Sequence, residues 1–165
     1  MVGALLPGWL RAPVEVRVSF DGRTYKLGET IKAGIELSPR RDLDVAEGRI
    51  DLVCEETWAE TWVKHEPMGR AGGVVSRGPE LRGPPVPKRV VKKFKVSFVH
   101  STAPFMKDAT LRRDSAVRQS VELEVDTEAP PHAQGGTLSW TLVAILETAK
   151  GRSVKDTRQI SVAIS

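Results

Sequence analysis

The chain has 165 residues, of which 40% are hydrophobic and 28% charged, and its net charge is +4. This suits one domain with a sizeable core and excludes a disordered chain. The single cysteine, Cys54, excludes an intramolecular disulfide and points to a reducing compartment, so a cytoplasmic location is expected.

The opening MVGALLPGWLRA has no basic segment before its apolar run and is broken by Pro7-Gly8. It reads as an extension, residues 1–12, and not as a secretory signal. Its Leu5, Leu6 and Trp9 are expected to pack back on the domain or to lie disordered. No apolar run reaches the roughly 20 residues that span a bilayer.

Next, PVEVRVSF places Val14, Val16, Val18 and Phe20 on one face, and ETIKAGIELS repeats the pattern with Ile31, Ala33, Ile35 and Leu37. The Asp21-Gly22 dipeptide between them is a hairpin signal. GRIDLVCEETWAETWVK puts Ile50, Leu52 and Cys54 on one side of a strand, with Trp58 and Trp62 farther along the same side. A helical stripe through Ile50, Val53, Thr57 and Thr61 is the alternative, and the β neighbours argue against it. Residues 64–88 hold five Gly and five Pro and read as a long loop. A polyproline ligand at GPPVP is the lesser reading. KRVVKKFKVSFVH turns Phe94, Val96 and Phe98 inward and Lys93, Lys95 and Ser97 outward.

STAPFMKDATLRRDSAVRQS has no period of two and reads as a loop with a short helix around 105–113. QSVELEVD is a strand with Val121, Leu123 and Val125 inward, and TEAPPHAQGG is a turn. The remainder is a hairpin turning at Lys150-Gly151. Val143 and Ile145 fill the second face of its first arm, as in a central strand. The expected strands are 13–20, 29–38, 48–57, 89–99, 119–126, 136–148 and 153–164. Seven strands without βαβ alternation predict an all-β fold, a two-sheet antiparallel β-sandwich of immunoglobulin-like type over 13–165.

The order of signals carries a resemblance. Tyr25 is followed by Gly28-Glu29, then Ile31 and Gly34; later VELEV runs through APPHAQGG into SWTLVAIL and ISVAIS. This resembles the amino-terminal domain of the arrestin superfamily, whose relatives include arrestin-domain adaptors, vacuolar-sorting subunits and bacterial sporulation-control proteins. Leu27 stands where the family commonly has Pro, Ala33 where it has a strand Gly, and Trp140 where it has Tyr. The resemblance implies an arrestin-like sandwich acting as a non-enzymatic interaction, scaffold or regulatory module.

No catalytic, cofactor-binding or metal-binding set is expected. His65, His100 and His132 lie in or beside predicted loops without ligand spacing, and Cys54 reads as a small buried hydrophobe. Glu55 and Glu56 point to opposite faces, and Asp42 and Asp44 read as turn residues. Two binding candidates remain. Trp58 and Trp62 either cap the core or form an exposed patch for a protein or a carbohydrate. The second is the basic stretch Lys88, Arg89, Lys92, Lys93 and Lys95, joined by Lys107, Arg112 and Arg113. Residues 88–118 carry nine Lys/Arg against two Asp. A solvated face is the bland reading, and an anionic or phosphorylated ligand the sharper one. Nucleic acid is disfavoured because Phe94 and Phe98 look inward. A protein partner is expected at a sheet edge or at the 64–88 and 100–118 segments, and a sheet edge would also serve a homo-oligomer. A carbohydrate-binding sandwich using Trp58 and Trp62 is the alternative function.

Overall fold

In the computed structural model the alternation becomes, among the described residues, eight strands: β1 (Val14–Phe20), β2 (Thr24–Lys26), β3 (Thr30–Pro39), β4 (Leu43–Lys64), β5 (Lys88–Leu111), β6 (Val117–Glu124), β7 (Thr137–Thr148) and β8 (Ser153–Ala163). The structure describes residues 11–64, 87–131 and 135–164. Most of the expected extension, residues 65–86 of the expected loop with His65, and His132 lie outside the described residues.

The strands form a three-stranded sheet, β1-β3-β6, and a five-stranded sheet, β2-β8-β7-β4-β5. One apolar cluster fills the space between them. Val16, Ile35 and Leu123 enter it from the small sheet, and Ile50, Leu52, Leu142 and Leu146 from the large one. Burying each such side chain is worth about 1.5–3 kcal/mol, so these two inner faces hold the layers together. The amide of Val18 donates to Asp156 Oδ2 at 2.8 Å and ties edge strand β1 to β8. β7 lies between β8 and β4, as its two filled faces require.

The Tyr25–Glu29 stretch has a local explanation. Tyr25 is 1% exposed, its hydroxyl donates to the Asp21 carbonyl at 2.8 Å, and Arg23 lies over its ring. Gly28 turns the chain at φ 86°, where a Cβ would be strained. Its amide then donates to the Val125 carbonyl at 2.8 Å. Gly34 forms no bulge: it pairs with Ser19 on one side and Ser120 on the other. A Cβ on Gly34 would come within 2.8 Å of Ser19 Oγ, so a larger residue would have to displace that side chain.

Three expectations need correction. An eighth strand, β2, lies inside the predicted β1–β3 connection and pairs parallel with β8, so the sheet is not wholly antiparallel. Pairing between β4 and β5 runs from Leu43↔Leu111 to Lys64↔Lys88, well past the predicted 48–57 and 89–99. No helix forms at 105–113, because β5 continues to Leu111. The missing period of two in that stretch has a physical cause. Register shifts leave His100 and Phe105 as extra residues opposite β4, and Asp108 adopts φ 47°. Each bulge reverses the inward–outward sense of the residues beyond it. Pro104 is tolerated because β5 is an edge strand and owes no second neighbour an amide hydrogen.

Candidate binding surface

The β4–β5 hairpin outlasts the sandwich. β4 shares its last pair with β7 at Thr57↔Thr137, whereas seven further pairs, Trp58↔Phe94 to Lys64↔Lys88, join β4, among the described residues, to β5 alone. At about 3.3 Å per residue this two-stranded ribbon extends about 20 Å. Its core-side face loses its cover stepwise. Cys54 is buried and Phe98 still packs on the core, but Val96 is 46% exposed. Beyond it come Phe94 with Trp58, Lys92 with Glu60, and Val90 with Trp62.

On that face Trp58 stacks on Phe94 with centroids 5.5 Å apart and planes at 12°. Trp58 Nε1 donates to Glu60 Oε1 at 3.3 Å, and Lys92 Nζ lies 5.2 Å from the Phe94 ring centroid. Trp62 is 41% exposed. Neither tryptophan belongs to the core cluster, so neither caps the core: Trp62 is exposed and Trp58 half-buried against Phe94. The inward sense expected for Phe94 and Val96 holds as strand phase, but the facing sheet ends before it reaches them. A shallow groove of about 580 Å³ opens beside the stack, lined by Thr57, Trp58, Ala59, Lys93, Phe94, Lys95 and Thr137. Gly136 makes the start of β7 fit there: a Cβ on it would overlap the Thr57 carbonyl and touch Trp58 Cβ.

The cations divide between the faces. Lys88 and Lys92 share the tryptophan face, and Arg89, Lys93 and Lys95 take the other with Val91. Lys95 pairs with Glu55 at 3.1 Å, and Ser97 donates to the same carboxylate at 3.3 Å. Arg112 and Arg113 do not join this group. They lie at the far end of β5, roughly 50 Å along the strand from Lys95. There Arg112 meets Asp42 at 3.6 Å, the Arg113 amide donates to Asp42 Oδ1 at 2.7 Å, and the Arg113 side chain meets Asp114 at 3.4 Å. Lys107 pairs opposite Glu47, also outside the ribbon. The 100–118 segment is mostly β5 strand, with a turn after it.

Other reactive groups are held in structural contacts. Burial pushes the Cys54 thiol up to about 11, with Glu56 and Glu55 adding to the effect. His100 Nε2 lies 3.2 Å from the Asp126 carbonyl, and its ring meets Trp140 edge-on at 5.0 Å. Glu56 is buried on the core side while Glu55 faces the opposite way, so they form no dyad. On the outer face of the large sheet Arg49 joins Glu47, Asp51 and Glu147 at 3.2–3.5 Å, and Thr102 donates to Asp51 at 2.6 Å. No group of three or more His, Cys, Asp or Glu able to hold a metal occurs among the described residues. No helix among them is long and apolar enough to cross a membrane. The signal that could have located the ribbon was the continued alternation Trp58, Glu60, Trp62 opposite Phe94, Lys92, Val90. Counting it as strand beyond residue 57 would have required knowing where the facing sheet stops.

No protein-family model and no curated protein matches the chain. Among solved structures, Spo0M, a sporulation control protein from Bacillus subtilis, aligns over 94% of this chain at 13% identity and a TM-score of 0.54. The chain spans about half of Spo0M, 51% of its length. That likeness establishes the fold: an arrestin-like β-sandwich, as the sequence order led us to expect. AvmM, which catalyses macrocyclization in alchivemycin A biosynthesis, aligns over 93% of this chain and 91% of its own at 9% identity and a TM-score of 0.41. A cohesin module from a Clostridium perfringens family 33 glycoside hydrolase aligns over 94% of this chain and all of its own, at 8% identity and a TM-score of 0.33. At those scores neither carries an argument.

Proposed function

We propose that the chain is a non-enzymatic interaction module of the cytoplasm, a scaffold or regulator that grips a protein partner with the β4–β5 ribbon. One observation carries this reading. The ribbon continues an aromatic face past the end of the sheet that would cover it, leaving Trp62 41% and Val96 46% exposed on that face and Val91 58% exposed on the opposite one, with cations on both. A projecting aromatic face with basic flanks fits a protein contact, because aromatic anchors supply most of the contact energy and charges steer the approach. By its name Spo0M controls sporulation. We carry over only the coarser idea, a regulator that acts by contact.

A carbohydrate site is less well supported. Trp58 already gives one side of its ring to Phe94, which leaves Trp62 as the freer platform. The test is affinity purification from the native host with the wild-type chain, Trp62→Ser, and a variant lacking residues 66–86. Loss of the partner in Trp62→Ser supports the ribbon. Loss only in the deletion variant moves the contact to that segment. A glycan array with specific hits would replace the protein reading with the sugar one.

A further inference from the structure

We infer that the outer edge of β5, from Lys88 to Ser97, takes an extended acidic segment of the partner as an added strand. This deepens the ribbon reading and rests on it. Among the described residues β5 pairs only with β4, so alternate residues of this stretch aim their amide and carbonyl groups away from the sheet. The edge is closed only farther on, where His100 and Ser101 meet the Asp126 backbone. Before that point β5 has an open strand edge, and open edges recruit strands.

Charge selects the occupant. Residues 88–97 hold five cations and no carboxylate. Lys95 is paired with Glu55, but no ion pair joins Lys88, Arg89, Lys92 or Lys93 to a carboxylate among the described residues. These cations lie on both faces of the strand. An added strand would therefore meet positive charge across the ladder whichever way its side chains point. A second copy pairing β5 with β5 would set five cations against five, which cross-strand repulsion disfavours. On the tryptophan face Val90, Phe94 and Val96 offer apolar cross-strand neighbours. The occupant is thus a segment alternating carboxylates with bulky apolar residues. Edge lysines also keep sheets from associating with themselves, and a purely protective role is the outcome that the experiment must exclude.

The test uses the full chain and a labelled synthetic peptide alternating glutamate with valine and phenylalanine. Fluorescence anisotropy reads affinity, and amide hydrogen exchange reads the site. The inference predicts saturable binding with slowed exchange at residues 88–97. Methylating alternate peptide amides should weaken binding at least about tenfold, because strand hydrogen bonds are lost while the charge stays. The exposed pair Lys92→Glu and Lys93→Glu should weaken it similarly, and Arg112→Glu with Arg113→Glu should leave it unchanged. No binding, equal binding of the methylated peptide, or unprotected β5 amides would overturn strand addition. So would concentration-dependent protection of the same amides without peptide, which would mark self-pairing. The ribbon reading fails separately, when the native partner is retained by Trp62→Ser.

Discussion

Trp58 lies flat on Phe94, one pair beyond Thr57, the last β4 residue that β7 supports. The stack therefore stiffens a ribbon that lacks a third strand among the described residues. A double-mutant cycle with Trp58→Ala and Phe94→Ala should return a coupling of about 0.5–1.5 kcal/mol in urea unfolding. Additive effects would mean that the rings do not support each other. Phe94→Ala alone should also shift tryptophan emission to the red, because the uncovered Trp58 ring meets water.

Gly136 sets how closely β7 begins against the ribbon. Its Cβ position is occupied by the Thr57 carbonyl, which is backbone and cannot swing aside. Gly136→Ala should cost about 1–3 kcal/mol by overpacking and should change Trp58 fluorescence. An unaltered melting temperature and spectrum would contradict this packing.

Cys54 is fully buried, and its thiol is held at about 11. The fold thus favours the neutral thiol. That contribution is complete below the ordinary thiol range and is lost as pH rises through about 11. A thiol reagent at mildly alkaline pH should react slowly with the native chain and stoichiometrically in denaturant. Fast native labelling would place Cys54 at the surface.

Glu29 accepts a hydrogen bond from Arg23 Nη1 at 2.8 Å and another from the Lys26 amide at 3.2 Å. These contacts, Arg23 first, hold its carboxyl below the ordinary range. A lowered carboxyl pKa stabilises the fold above the unfolded value, and this is lost as pH falls through the folded one. Melting curves of wild type and Glu29→Gln should therefore differ most near neutrality and converge in acid. The gap should be small, because the pair is exposed. A gap independent of pH would contradict the assignment.

The sandwich was legible where both faces of a strand obey one rule. Val14 to Phe20 and Ile31 to Leu37 alternate without interruption, Leu138 to Leu146 keeps one face apolar throughout and fills the other as a central strand does, and their expected bounds lie within a residue or two of those found. It was illegible across residues 100–111. There the extra residues His100 and Phe105 reset the phase, so a continuous strand looks aperiodic. β2 escaped because three residues carry no period, and its parallel partner β8 lies more than a hundred residues away. The candidate surface was half legible. Trp58, Trp62 and the lysines of β5 were picked from their types and phase, but their exposure depends on where the small sheet ends. The grouping of Arg112 and Arg113 with Lys95 failed because nearness in composition was taken for nearness in space, and a strand keeps such residues far apart.

The central claim is that the ribbon is where a partner binds, and site-specific photocrosslinking in the native host tests it most directly. A benzoylphenylalanine at Val91, on the ribbon, is compared with one at Lys32, exposed on the small sheet. The account predicts a discrete crosslinked protein from position 91 and none from position 32. A partner captured at 32 and absent at 91 would contradict it.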